Sequence, residues 1–328
     1  MDYILFVIGL ILLVYSGKFL VQSGVSIARH FNIPTLIIGI TIIAFGTSAP
    51  ELIVSVKAAL SGSPEIAFGN VVGSNISNIG LVLAVTALII PIPVGKTSWR
   101  IDWPVMMLAS VLLYVFTLNN VLGFWESFIL FAMLAAYLFF SVKTSTPDII
   151  SDKNDDNKPQ YKLGLSFVIV IASSVGLAYG ADLLVNSAVN IATELGVSKR
   201  VISITIVAFG TSLPELTASI IAALKKQTDI SIGNIIGSNI FNIMAVLGIT
   251  GMIHPIAIDH IAFSFDIIWM MFVSVLLFLF IFPFKTVYLN RVEGSLLFLS
   301  YILYLAAVIG GFDFESLSST FHFTLPWY

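Results

Sequence analysis

The 328-residue chain contains no cysteine, so no disulfide framework holds it together and nothing marks its redox compartment. Charge is scarce too. Only 10% of residues are Asp, Glu, Lys or Arg, against about 25% in soluble domains. The net charge of −3 and the lack of a basic stripe argue against a nucleic-acid partner. None of the four histidines, His30, His254, His260 and His322, falls in the middle of an apolar run, which argues against a histidine proton relay. No nucleotide-binding motif is evident. The N-terminal apolar run, Tyr3 to Tyr15, lacks the basic region and small-residue cleavage pattern of a secretory signal and reads as a first membrane helix.

What is abundant is apolar surface. With 58% hydrophobic residues the chain cannot cover itself with polar groups, so lipid is its expected solvent. A membrane helix needs about 20 mostly apolar residues. Ten candidates lie at 2–25, 34–60, 66–91, 101–118, 124–143, 162–192, 199–224, 230–253, 263–283 and 292–311. The separators are turn-forming: Pro34, Ser61-Gly62-Ser63-Pro64, Pro91 and Pro93, Asn119-Asn120, and Pro283. The one long polar stretch, from Thr144, carries the acidic run Ser151 to Asn157. It lacks the glycine and terminal glutamate of an EF-hand and reads as a solvated linker.

Basic residues orient the chain. Loops on one side hold Arg29, Lys96, Arg100, Lys143, Lys153, Lys158, Lys162, Lys225, Lys226, Lys285 and Arg291; those on the other hold Lys57, Lys199 and Arg200. Positive loops stay in the cytoplasm. The expectation is an integral protein of the cell (inner) membrane with a cytoplasmic linker at 144–161 and both termini outside.

The chain also repeats itself. Residues 39–80 and 203–244 align without a gap at an offset of 164, with 24 identities in 42 positions. Tyr15 and Tyr179, and Asp102 and Asp266, extend the match. The expected fold is an all-α integral membrane protein: ten transmembrane helices as two inverted five-helix repeats, 1–143 and 162–328. An odd number of spans per repeat inverts the second relative to the first, and sites in such plans lie near the midplane between the halves.

The repeated segments carry the chemistry. Ala44-Phe45-Gly46-Thr47-Ser48-Ala49-Pro50-Glu51 is matched by Ala208-Phe209-Gly210-Thr211-Ser212-Leu213-Pro214-Glu215. Proline removes a backbone donor and clashes with the carbonyl four residues back, which predicts an interrupted span with free carbonyls near Gly46 and Gly210. Carboxylates inside apolar spans are expensive and usually mark ion pathways. Thr47 and Ser48 share a helical face with Glu51, as Thr211 and Ser212 do with Glu215. Oxygen-only groups of this kind suit hard cations such as Ca²⁺ or Na⁺. The following span carries Asn70, Ser74 and Asn78 at i, i+4, i+8, matched by Asn234, Ser238 and Asn242, beside the small-xxx-small pairs Gly69/Gly73 and Gly233/Gly237.

Blander readings exist for each feature. One glutamate beside a proline could cap a helix; two copies inside apolar spans favour an ion site. The Asn and Ser stripe alone is commonly interhelical glue, but beside the glutamates it could complete the site. Asp102 and Asp266 sit at span starts, which predicts a helix N-terminal or interfacial role.

With these motifs the chain resembles the cation/calcium exchanger superfamily, on the side of the prokaryotic sodium/calcium exchangers. The paired GTS-x-PE and GN-x-x-GSN-x-x-N segments resemble its two α-repeats, and the GNxTE-like motifs of proton-coupled relatives are absent. The resemblance implies that Glu51 and Glu215 bind Ca²⁺ with oxygens from Thr47 and Thr211. It further implies that the Ala44 and Ala208 carbonyls with Ser48, Ser212, Ser74 and Ser238 contribute to Na⁺ sites. Asn78 matches the family's central asparagine; Asn242 stands where some members have aspartate. The linker lacks the large regulatory domains of animal exchangers.

The resulting expectation is an antiporter, not an enzyme, that exchanges Na⁺ for Ca²⁺ without a cofactor, its partners being those ions and the bilayer, with no marker of oligomeric state. The nearest alternative is an H⁺- or K⁺-coupled cation antiporter. A channel is disfavoured by the inverted repeat. An intramembrane enzyme would want a nucleophile–base pair or metal-binding histidines at depth, and neither is apparent.

Overall fold

In a bilayer every backbone amide must find its partner within the chain, so long apolar segments become helices. The computed structural model describes residues 2–144, 158–195, 210–258, 265–282 and 288–310. Among them, eight helices are long and apolar enough to cross a membrane: α1 Asp2–Phe31, α2 Thr35–Leu60, α3 Glu65–Ile89, α4 Ser98–Phe116, α5 Phe124–Thr144, α6 Leu163–Glu194, α8 Thr228–Ile253 and α10 Arg291–Gly310. Two shorter apolar helices complete the set, α7 Leu213–Leu224 and α9 Ile267–Ile281. Each of the ten expected runs overlaps one of these helices. Residues 145–157 of the linker, the start of the seventh run at 199–209, and the C-terminal segment 311–328 lie outside the described residues.

The arrangement inverts the logic of a soluble protein. The helices richest in Asn, Ser and Gly are the most enclosed: the apolar windows of α3 and α8 are 78% and 83% buried, against 22% for α10. Leucine, isoleucine and phenylalanine can face lipid at no cost, whereas amides and hydroxyls need partners. Small residues let the inner helices approach. A Cβ added at Gly237 of α8 would lie 2.6 Å from the Cα and carbonyl oxygen of Ile40 in α2. At the periphery α1 packs along α6, with Gly9 against Gly180.

Two short antiparallel ladders join the halves of the chain. β1 (Ile92–Pro93) pairs with β4 (Tyr288–Leu289), and β2 (Val121–Leu122) pairs with β3 (Ile256–Ala257). In each ladder one cross-strand pair is buried, Ile92 with Leu289 and Leu122 with Ile256. Ile92 and Ile256 are 164 positions apart, whereas Leu122 and Leu289 are 167 apart. The repeat therefore continues past the fourth span, displaced by three residues. A tyrosine–aspartate pair follows the same displacement. Tyr137 Oη donates to Asp102 Oδ1 (2.9 Å), and Tyr304 Oη donates to Asp266 Oδ1 (3.0 Å), over separations of 35 and 38 residues.

The structure alters two local expectations. Asp102 does stand at a helix start, but it makes no side-chain cap; it is buried and held by Tyr137 of α5. Pro50 does not break α2, which stays helical from Ala44 to Leu60 after a π-helical stretch at Gly39–Ile43. In the second half Pro214 lies in the first turn of α7, where its missing N–H costs nothing. Just before α6, residues 158–162 dock on the end of α1: Tyr161 N donates to Ser26 Oγ (2.9 Å) and Arg29 donates to the Lys158 carbonyl (3.0 Å).

Candidate cation site

Four helices bring the repeated motifs together. On α2, Thr47, Ser48 and Glu51 are buried on one face, with Ser55 a turn further on. The matching positions Ser212, just before α7, and Glu215 and Ser219 on it are buried too. α3 and α8 supply the amide and hydroxyl stripes. Both change from α-helix to π-helix at the last asparagine of the motif, giving π-turns at Asn78–Leu83 and Asn242–Leu247. Such turns are rare and concentrate at functional sites, because they disturb the regular backbone ladder.

Hydrogen bonds stitch the four helices across the halves. Ser48 Oγ donates to Glu215 Oε1 (3.0 Å), tying α2 to α7. Ser77 and Ser212 hydroxyls meet at 2.8 Å, tying α3 to α7. Thr47 Oγ1 donates to Asn234 Oδ1 (3.1 Å) and lies 3.4 Å from Ser238 Oγ, tying α2 to α8. Asn70 and Asn234 act as braces. Their Nδ2 groups donate to Ser55 Oγ (3.1 Å) and Ser219 Oγ (3.0 Å), one turn beyond each glutamate. Across α3 and α8, Asn78 Nδ2 donates to Asn239 Oδ1 (3.0 Å) and Asn242 Nδ2 to Asn75 Oδ1 (3.1 Å).

The unpaired atoms are as informative. Glu51 Oε2, Glu215 Oε2, Asn78 Oδ1, Asn242 Oδ1 and Ser74 Oγ are buried with no hydrogen-bond partner. Ser48, three residues before Glu51 on α2, links the two acidic segments through its bond to Glu215 Oε1. Among the described residues no basic side chain pairs with either carboxylate. Burying a carboxylate without a counter-charge costs many kcal/mol. Among the described residues no three Asp, Glu, His or Cys cluster, so neutral oxygens must supplement the two carboxylates around any cation. Oxygen-only donors without nitrogen or sulfur fit Ca²⁺ and Na⁺ rather than zinc or copper.

The profile of the sodium/calcium exchanger protein family matches residues 1–143 and 165–310. The chain belongs to that family. The exchanger is 35% identical over 279 residues to the inner membrane protein YrbG of Escherichia coli, covering 83% of this chain and 86% of that one. It is 29% identical over 346 residues to the sodium/calcium exchanger MaX1 of Methanosarcina acetivorans, covering 94% and 98%. Its fold matches the solved sodium-calcium exchanger NCX_Mj, in a crystal soaked with 10 mM Na⁺ and no Ca²⁺, with a TM-score of 0.79 and 34% identity over 93% of this chain and 98% of that one.

Of the residues expected at the exchanger's site, Thr47, Ser48 and Asn78 from the first half and Ser212, Glu215, Ser238 and Asn242 from the second enter this network, while Glu51 joins through its backbone carbonyl, which accepts from Asn70 Nδ2 (3.3 Å), and Ser74 Oγ has no partner. All nine are buried. The Ala44 carbonyl lies 3.3 Å from Thr47 Oγ1. Thr211 is exposed, unlike its repeat mate Thr47. Ala208 lies outside the described residues. Sequence reasoning missed Asn75 and Asn239, which are buried and engage the central asparagines. The available signal was their identity in the two repeats, three residues before Asn78 and Asn242.

Proposed function

We propose that the exchanger moves Na⁺ and Ca²⁺ in opposite directions through one site between Glu51 and Glu215, by alternating access. The observation that carries this reading is the pair of buried carboxylates with unpaired oxygens and no basic partner among the described residues. One Ca²⁺ balances both charges; Na⁺ ions can balance them in its place. The two loads use the same oxygens and exclude each other. An empty site would bury two bare carboxylates, so occlusion without a cation is costly and the protein returns loaded. Thr47, Ser48, Ser74, Ser212, Ser238, Asn78, Asn242 and the Ala44 carbonyl supply neutral oxygens. Thr211 and the Ala208 carbonyl, the repeat mates of Thr47 and the Ala44 carbonyl, complete the proposed ligand set.

The same reading assigns ten spans in two inverted repeats of five. The strand ladders support it: β1 and β4 share one membrane side and β2 and β3 the other, as strict alternation of ten crossings requires. The basic-residue bias makes the β1–β4 side and the 144–161 linker cytoplasmic, with both termini outside. Asn242, a neutral amide where some relatives carry aspartate, favours exchange whose charge rests on two glutamates. The test is ⁴⁵Ca²⁺ uptake into proteoliposomes under separate outward Na⁺, K⁺ and H⁺ gradients. Uptake driven by Na⁺ alone is expected. Uptake driven by K⁺ or H⁺ with no Na⁺ requirement would replace this reading with the K⁺- or H⁺-coupled one.

A further inference from the structure

The amides of Asn75 and Asn239 face each other across α3 and α8 in a reciprocal arrangement. Asn75 Nδ2 donates to the Asn239 carbonyl (3.3 Å), and Asn239 Nδ2 donates to the Asn75 carbonyl (3.4 Å). Each Nδ2 also approaches a methionine sulfur at 3.6 Å, Met270 for Asn75 and Met106 for Asn239, and these methionines are repeat mates. Both hydrogens of each amide are therefore engaged by acceptors. Rotating either side chain by half a turn would set its Oδ1 against a carbonyl oxygen and a sulfur, neither of which can donate. The orientation of these two amides is decided by their surroundings.

That decision propagates. Because Asn75 must present Oδ1, the side chain meeting it must present a donor, and Asn242 offers Nδ2 at 3.1 Å. By the same logic Asn239 Oδ1 selects Nδ2 of Asn78 at 3.0 Å. Asn78 Oδ1 and Asn242 Oδ1 are then turned away from the clasp, and both are buried without a partner. Helix–helix glue would not leave them so. The reciprocal Asn75–Asn239 bonds join the helices by themselves, and a buried oxygen left without a donor is destabilising.

We infer that Asn75 and Asn239 are positioning residues that lock the amides of Asn242 and Asn78, respectively, with their oxygens toward the transported cation. They touch no cation themselves. They remove the alternative in which an N–H faces a positive charge, and thereby preorganise two neutral ligands. The inference rests on the cation site described under Proposed function.

The test is direct Ca²⁺ binding to the purified full-length exchanger by isothermal calorimetry, arranged as double-mutant cycles. Asn75→Leu and Asn239→Leu are each expected to weaken binding about three- to tenfold, the loss of about one hydrogen bond's worth of orientation. The cycles carry the specificity. Asn75→Leu should add little on an Asn242→Ala background but its full effect on Asn78→Ala. Asn239→Leu should show the opposite pattern. A structural role would give the same additivity with both partners. Should a leucine variant fail to fold, Asn75→Ser and Asn239→Ser serve the same cycles, since serine is too short to reach the partner amide. Unchanged affinity in the positioning variants, or additivity in every cycle, overturns the inference. If Asn78→Ala and Asn242→Ala leave binding intact while Glu51→Gln abolishes it, the positioning role falls and the glutamate site stands. If Glu51→Gln binds normally, the site reading itself has failed.

Discussion

Replacing Glu51 by glutamine keeps the shape of a buried side chain and deletes one of two negative charges. The structure provides no basic neighbour, among its described residues, to take up the difference. Breaking a buried charge pair on one side costs about 3–5 kcal/mol. At about 1.4 kcal/mol per decade this predicts Ca²⁺ binding weakened at least about a hundredfold. The consequence for stability is specific. At a Ca²⁺ concentration 100 times the parent's Kd, binding stabilises the parent by about 2.7 kcal/mol; a hundredfold weaker variant gains only about 0.4 kcal/mol. Without Ca²⁺ the order reverses, because a neutral amide is cheaper to bury than a bare carboxylate. Melting followed by intrinsic fluorescence in detergent, with chelator and then with Ca²⁺, reads both quantities. The expected result is a Glu51→Gln protein at least as stable as the parent in chelator, almost blind to Ca²⁺, and inactive in ⁴⁵Ca²⁺ uptake. A variant less stable in chelator but still stabilised by Ca²⁺ would make Glu51 a structural residue and refute the reasoning. Glu215→Gln should behave in the same way, with the further loss of the Ser48 hydrogen bond's charged acceptor.

Three further outcomes are expected. Asn242→Asp should retain Ca²⁺ exchange but make it dependent on pH or on the monovalent ion: the new carboxyl must hold a proton to keep donating to Asn75 Oδ1, or else recruit another cation. Flux profiles against pH, Na⁺ and K⁺ that superimpose on the parent's would remove Asn242 from the ligands. In this cysteine-free chain, Val121→Cys should react with an impermeant maleimide from outside intact cells, whereas Tyr288→Cys should react only after permeabilisation, since their ladders lie on opposite membrane sides; the reverse pattern would invert the proposed orientation. Gly237→Val should lower the melting temperature, because even a Cβ there meets the α2 backbone at 2.6 Å and overpacking costs about 1–3 kcal/mol; an unchanged melting temperature would mean that α2 and α8 do not pack as described.

The helices were legible in advance because the bilayer has a fixed thickness. A run such as Phe124 to Lys143 has to span it, and the helix Phe124–Thr144 falls where its apolar residues do. The candidate site was legible by residue type for a related reason. A glutamate inside an apolar run carries its cost whatever the tertiary structure, and a repeat at an offset of 164 doubles the signal at Glu51 and Glu215. Tertiary structure alone decided the rest. Whether Asn234 binds a cation or braces Ser219 depends on how α8 is rotated against α7. That Asn75 is fastened to Asn239 depends on contacts between residues 164 apart in sequence, which no local pattern encodes. The tyrosine that holds Asp266 is Tyr304 and not Tyr301, the residue at the original offset, because three residues inserted after the fourth span of the second repeat shift the register. Local chemistry sets which groups cannot remain alone in lipid; only the packing of helices from opposite ends of the chain selects the partner of each.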